Sequence, residues 1–184
     1  MPGLSEIKVL IVDDNAQMRT LLRSVLRGAG ISHVYEAPNV HEGLDRLKFQ
    51  APDIVLLDLS MKPFDGLEFA RAVRDPDNSP NPYVAIIMMT CHSQRLRVAA
   101  ARDAGVNSFL AKPITGRSLF EHILGVINDG RPFVRCGSYF GPDRRRMQWP
   151  GYDGPFRRAG EGATDSGGVD LDEDFSTPRV ATAN

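Results

Sequence analysis

Pro52-Asp53-Ile54-Val55-Leu56-Leu57-Asp58 is an unbroken apolar run, too short for a helix, that ends in a carboxylate. Such a run reads as a strand buried on both faces, as in a parallel sheet. In an open α/β sheet the ligand crevice lies outside the carboxyl ends of the strands, so Asp58 is offered to chemistry rather than to the core.

The same pattern recurs on either side. Lys8 to Val12 is a second apolar run, followed by Asp13 and Asp14, and Asn15 is placed to cap a helix carrying Met18, Leu21, Leu22, Val25 and Leu26 at helical spacing until Gly28 and Gly30. His33 to Glu36 reads as a short strand and Asn39 to Phe49 as an amphipathic helix. After Gly66, the residues Leu67, Phe69, Ala70 and Val73 mark a third helix, which Pro76, Pro80 and Pro82 close. Val84 to Thr90 is a fourth strand, Ser93 to Ala104 a helix, Ser108 to Ala111 a fifth strand before Lys112-Pro113, and Thr115 to about Asn128 the last helix. Five strands alternating with five helices through short loops predict a doubly wound parallel α/β sheet.

Charge divides the chain into three segments. Residues 1–130 carry 14 basic and 15 acidic residues, residues 131–158 seven arginines against Asp143 and Asp153, and residues 159–184 six acids against Arg179. The expected organisation is a folded domain over 1–130, an arginine-rich segment over 131–158 and an acidic, disordered tail over 159–184. Two cysteines, an N-terminus without the apolar core of a signal peptide and no apolar run long enough to span a bilayer lead us to expect a cytoplasmic protein with no membrane contact.

The ends of strands one, three, four and five converge on one crevice in such a sheet, which brings together Asp13, Asp14, Asp58, Thr90 and Lys112. Clustered carboxylates repel unless a cation sits among them, and a hard, oxygen-seeking ion such as Mg²⁺ suits the set. Asp58 is then equipped to attack a phosphoryl group, with Lys112 and the metal neutralising its oxygens and Thr90 donating a hydrogen bond. Each residue alone has a plainer explanation as a turn, a cap or a solvated loop residue. Their arrival at four strand ends is what carries the chemical reading.

On these residues, positions 7–129 resemble a CheY-type receiver domain of two-component signalling. The resemblance implies the flavodoxin-like strand order 2-1-3-4-5, an order for which CheY is itself a standard example. It also implies Asp58 as phosphoacceptor, Thr90 as switch residue, Lys112 as phosphoryl partner, and Asp13, Asp14, Asp58 and the Ser60 carbonyl as Mg²⁺ ligands. A histidine kinase is the implied phosphoryl donor, and the role is that of a signalling switch rather than an enzyme. Three positions depart from the family pattern: Phe109 stands where Tyr is frequent, Met61-Lys62-Pro63 shifts the usual proline by one, and Cys91 follows Thr90.

Beyond residue 130 the sequence shows neither helix nor strand periodicity and is expected to be largely irregular. Residues 141–158 hold five arginines and no lysine. Arginine offers a planar fork for phosphate or guanine edges and a face for stacking. Asp143 and Asp153 suit guanine N1 and N2, and Trp149 suits a base face. The run Tyr139-Phe140-Gly141-Pro142-Asp143-Arg144-Arg145-Arg146, with Trp149 and Arg157-Arg158, resembles the tail of the Cle group of CheY-like cyclic di-GMP effectors of the flagellar motor. The resemblance implies cyclic di-GMP as ligand, bound through Asp143, Arg144, Arg145, Arg146, Trp149, Asp153, Arg157 and Arg158, and the flagellar motor switch or a similar assembly as partner. The other readings are a stand-alone phosphotransfer regulator with an incidental basic tail, and a tail that binds nucleic acid, which the glycine and proline punctuation makes the less favoured.

Overall fold

Successive side chains along the strands are buried on opposite faces of the sheet, which divides the core in two. Leu10, Val12, Val55, Leu57, Ile86 and Met88 face one side of the sheet, and Val9, Ile11, Ile54, Leu56, Ile87 and Met89 the other. A strand whose successive side chains are all buried must be covered on both faces, so the apolar runs demanded helices above and below. The computed structural model, which describes residues 4–91, 95–137 and 139–144, supplies them.

Strands β1 (Lys8–Val12), β2 (His33–Ala37), β3 (Ile54–Asp58), β4 (Ala85–Cys91) and β5 (Ser108–Lys112) form one parallel sheet in the order β2-β1-β3-β4-β5. Helices α1 (Ala16–Gly28) and α5 (Gly116–Ile127) bury Leu22, Leu26, Leu119 and Ile123 on one face. On the other face, α2 (Val40–Gln50), α3 (Gly66–Val73) and α4 (Arg95–Asp103) bury Leu47, Phe69, Val73 and Ala101. The expected strand order and the alternation of five strands with five helices are both observed.

The helix cap expected at Asn15 is observed. The Asn15 side chain accepts from the backbone N–H groups of Gln17 and Met18 at 2.9 and 3.2 Å. Asp65 and Glu68 form a capping box ahead of α3, and Thr115 with Ser118 does the same ahead of α5. These caps fix where each helix leaves its βα loop, and hence where the preceding strand-end side chains point.

The extension departs from expectation. Phe133–Cys136 (β6) and Tyr139–Pro142 (β7) pair as an antiparallel hairpin, within a compact unit that runs to Arg146. Phe133 and Phe140 pack edge-on against Tyr83, with ring centroids 5.2 and 5.4 Å away. Gly105, at φ +79, admits the hairpin: a Cβ there would lie 2.6 Å from the Phe140 carbonyl oxygen. The turn therefore needs glycine both for its left-handed conformation and for the close approach.

Arg74 holds the same region from below. It is 5 % exposed, and it donates to the carbonyls of Gly105 and Pro82 and to the Asn107 side chain at 2.9, 2.7 and 2.9 Å. The Phe133 ring lies over its guanidinium, 5.1 Å from the centroid. Burial pulls its pKa down to about 9, so the group still carries its charge at neutral pH. The Asn107 side-chain oxygen also accepts from the Ile86 backbone N–H at 2.9 Å, tying the start of β4 to the start of β5. Arg131 extends the clamp by donating to Asp129 and to the Asn107 carbonyl, the latter at 3.0 Å. The hairpin thus seals the amino ends of β4 and β5, opposite the end that carries Asp58.

Candidate functional site

Strands β1, β3, β4 and β5 deliver Asp13, Asp58, Thr90 and Lys112 to one crevice. One carboxylate oxygen from each of Asp13, Asp14 and Asp58 lies within 4.8 Å of the others. Asp13 is fully buried and Asp58 5 % exposed, whereas Asp14 faces solvent. The Lys112 ammonium reaches between the two buried acids, 3.0 Å from Asp58 Oδ1 and 3.4 Å from Asp13 Oδ2. The buried Thr90 hydroxyl donates to the Cys91 carbonyl at 3.2 Å, and Cys91 itself is exposed at the crevice end of β4.

The backbone around Asp58 is tightly set. A Cβ on Gly66 would come within 2.3 Å of the Asp58 carbonyl oxygen, so the first turn of α3 presses directly on the strand end. The Gly66 N–H donates to the Leu59 carbonyl at 3.1 Å. On the β1 side, Asp13 Oδ1 accepts from the Asn15 N–H at 2.8 Å and the Asp13 carbonyl accepts from Arg19 at 2.7 Å. Gly66, Asn15 and Arg19 act on the site through their neighbours and were not among the residues expected from the sequence. Asn15 stood out only as a cap, and a solvent-spaced arginine in α1 carries no signal that it will fold back on the preceding loop.

Burial pushes the Asp13 carboxyl above its ordinary value, and the nearby Asp58 charge adds to this, while the Asn15 N–H and Lys112 oppose it. For Lys112, burial works to lower the ammonium, but the hydrogen bond to Asp58 and the charges of Asp58 and Asp13 outweigh it and leave the group above 10.5. The raised value belongs to the folded chain. The stabilisation is therefore complete below 10.5 and is lost as pH climbs through the folded value. We expect the urea midpoint to fall more between about pH 8 and about pH 11 in the wild type than in Lys112→Gln, in which this linkage is gone. Equal falls in the two proteins would show that the ammonium makes no such contribution.

Three carboxylates of this spacing, two of them buried, form an all-oxygen donor set of the kind a hard divalent cation takes. The Ser60 carbonyl, two residues past Asp58, follows β3 on the loop to α3.

A family model, the response regulator receiver domain, matches residues 9–124. This chain belongs to the response regulator receiver family. The receiver is 32% identical over 117 residues to the chemotaxis protein CheY of Pseudomonas aeruginosa, covering 64% of this chain and 93% of that one. It is 36% identical over 105 residues to the KDP operon transcriptional regulatory protein KdpE of Escherichia coli, covering 57% of this chain and 44% of the relative. The match thus spans less than half the length of KdpE. Among solved structures, chemotaxis protein CheY4 of Vibrio cholerae, crystallised at low pH, superposes with a TM-score of 0.60 at 27% identity, covering 65% of this chain and 98% of that one. The receiver is CheY-like in fold.

The residues expected to hold a nucleotide are placed only in part. Asp143 donates its backbone N–H to the Pro132 carbonyl at 2.8 Å, and its charge helps to raise the pKa of Arg131 after the larger effect of Asp129. Arg144 pairs with Asp103 at 2.7 Å, its guanidinium stacked 4.0 Å from the centre of the Tyr139 ring. Arg145, Arg146, Trp149, Asp153, Arg157 and Arg158, and the acidic segment with Asp170, Asp172, Glu173 and Asp174, lie outside the described residues. No described helix is long and apolar enough to cross a membrane.

Proposed function

We propose that this chain is a cytoplasmic CheY-like response regulator with two inputs. Asp58 accepts a phosphoryl group from a histidine kinase, and the arginine-rich extension binds cyclic di-GMP to tune flagellar motor or attachment behaviour. The observation that carries the first input is the Lys112 ammonium 3.0 Å from Asp58 Oδ1, inside a cluster of three carboxylates.

In the transfer, an Asp58 carboxylate oxygen attacks the phosphorus of a phosphohistidine. A P–O bond forms as the P–N bond breaks, and the imidazole leaves with the electron pair and takes a proton from solvent. Lys112 stays protonated throughout and meets the charge of the incoming phosphoryl oxygens. The Thr90 hydroxyl turns from the Cys91 carbonyl to donate to one of them. Mg²⁺, held by Asp13, Asp14, Asp58 and the Ser60 carbonyl, supplies further neutralisation of the phosphoryl charge when bound. The product is an acyl phosphate that persists as a signal, so the protein works as a switch and not as an enzyme turning over a substrate.

Arg144 supports the second input. It opens the run Arg144-Arg145-Arg146 and is stacked on an aromatic ring with 41% of its side chain exposed, and a phosphate or base edge would take its guanidinium over from Asp103. Calorimetric titration of the full chain with cyclic di-GMP is expected to show saturable heat. The triple change Arg144→Ala, Arg145→Ala and Arg146→Ala should weaken binding by tenfold or more, which is about 1.4 kcal/mol. Absence of heat with the wild type would sink the cyclic di-GMP reading. Tight binding to duplex DNA or long RNA that falls steeply with salt would instead favour a nucleic-acid tail.

A further inference from the structure

A cleft of about 280 Å³ opens between the carboxyl end of α3 and the hairpin, far from Asp58. Charged residues dominate its lining, Arg71, Arg74, Asp75, Asp77, Asp103 and Arg135, together with Tyr139 and Phe140 of the hairpin. Half of the charged groups are committed within the chain. Arg74 is spent on three neutral oxygens, Asp75 accepts from the Asp77 N–H and from Asn78, and Asp103 holds Arg144. Arg71, Arg135 and Asp77 are exposed, and the charge of Arg135 helps, after the hydrogen bonds from Asn78 and Asp77, to hold the Asp75 carboxyl below its ordinary value. Two forked donors and one acceptor therefore line a small space.

That inventory selects a ligand. Phosphate alone has no use for a free carboxylate, and a simple cation has no use for two guanidinium groups. Guanine presents both halves around one planar base: O6 and N7 on its Hoogsteen edge accept from a guanidinium, and N1–H and N2–H on its Watson–Crick edge donate to a carboxylate. A volume just under the ~300 Å³ lower bound for small-molecule sites suits one base better than a whole dinucleotide. Arg74 adds a buried charge with no carboxylate partner among the described residues, which favours an electron-rich edge nearby.

We propose that this cleft is a guanine-base site, with Arg135 or Arg71 donating to O6 and N7 and Asp77 accepting from N1–H and N2–H. The inference rests on the cyclic di-GMP reading above and gives that ligand a seat on the folded receiver unit, at the root of the arginine run. One guanine enters the cleft, and Arg144 lies on the same folded unit.

The test uses calorimetry on the full chain with cyclic di-GMP and with its inosine analogue, which lacks the N2 amino group. Arg71→Ala, Arg135→Ala and Asp77→Ala should each weaken cyclic di-GMP binding tenfold or more. Arg71 and Asp77 lie outside the hairpin, so their loss of binding does not depend on how well the hairpin tolerates substitution, and an unchanged melting temperature checks each variant. The wild type should bind the inosine analogue at least tenfold more weakly than cyclic di-GMP, and Asp77→Ala should bind the two alike. Wild-type binding that all three variants retain in full overturns the cleft while leaving the cyclic di-GMP reading intact. No binding by the wild type removes that reading, and the cleft with it.

Discussion

Ending the chain after Gly130 is expected to lower its unfolding free energy by about 2–4 kcal/mol, whereas ending it after Arg146 leaves stability unchanged. The difference comes from the hairpin. Phe133 and Phe140 are half-buried against Tyr83, and a large apolar side chain contributes roughly 1.5–3 kcal/mol when fully buried, so two half-buried rings account for most of the loss. The Arg131 bonds to Asp129 and Asn107 go with them. Re-exposure of Arg74 to water returns part of the loss, because its guanidinium is then solvated again. At about 2–4 °C per kcal/mol, suited to a chain of this size, the shorter protein melts about 5–15 °C lower. Differential scanning calorimetry of the two truncations checks this. Equal melting temperatures would show that the hairpin merely rests on the sheet.

Asp58→Asn is expected to abolish phosphoryl uptake from a small phosphodonor or a kinase, with the fold intact. Asparagine keeps the shape of the side chain but offers no carboxylate to attack phosphorus. Lys112→Ala leaves the nucleophile in place and removes the cation 3.0 Å from it, so uptake should persist but slow by on the order of 10²-fold, the usual cost of one well-placed charge-stabilising donor. The two variants separate the roles: one loses the bond-forming atom, the other the charge that steadies it. Mass spectrometry of the intact protein after incubation with phosphodonor and Mg²⁺ reads both. Stable phosphoryl incorporation in Asp58→Asn would place the acceptor elsewhere.

The receiver half was legible because its chemistry and its architecture share the same residues. An apolar run such as Ile54 to Leu57 can be satisfied only by burial on both faces, and a carboxylate at its end can be tolerated only where the strand meets the crevice. The order of the strands was another matter. Nothing in the periodicity of β2 or β5 says which edge each occupies, and the order 2-1-3-4-5 came from the family resemblance. The hairpin escaped notice for a physical reason. Its strands are four residues each, Pro132 before β6 and Pro142 at the end of β7 read as breakers, and their apolar partner is Tyr83, about fifty positions earlier. The Arg74 network was equally hidden, since an arginine at the end of a helix ordinarily points to water. Only the folded chain brings Gly105, Pro82 and Asn107 around it.

Two exposed thiols, Cys91 and Cys136, are the only cysteines in the sequence. One follows Thr90 at the crevice end of β4, and the other closes β6 beside the cleft at the opposite end of the sheet. The unaltered protein therefore already carries one attachment point at each end for a donor and acceptor dye. Any displacement of the hairpin relative to the acidic crevice, whatever ligand provokes it, registers as a change in transfer efficiency between those two sulfurs.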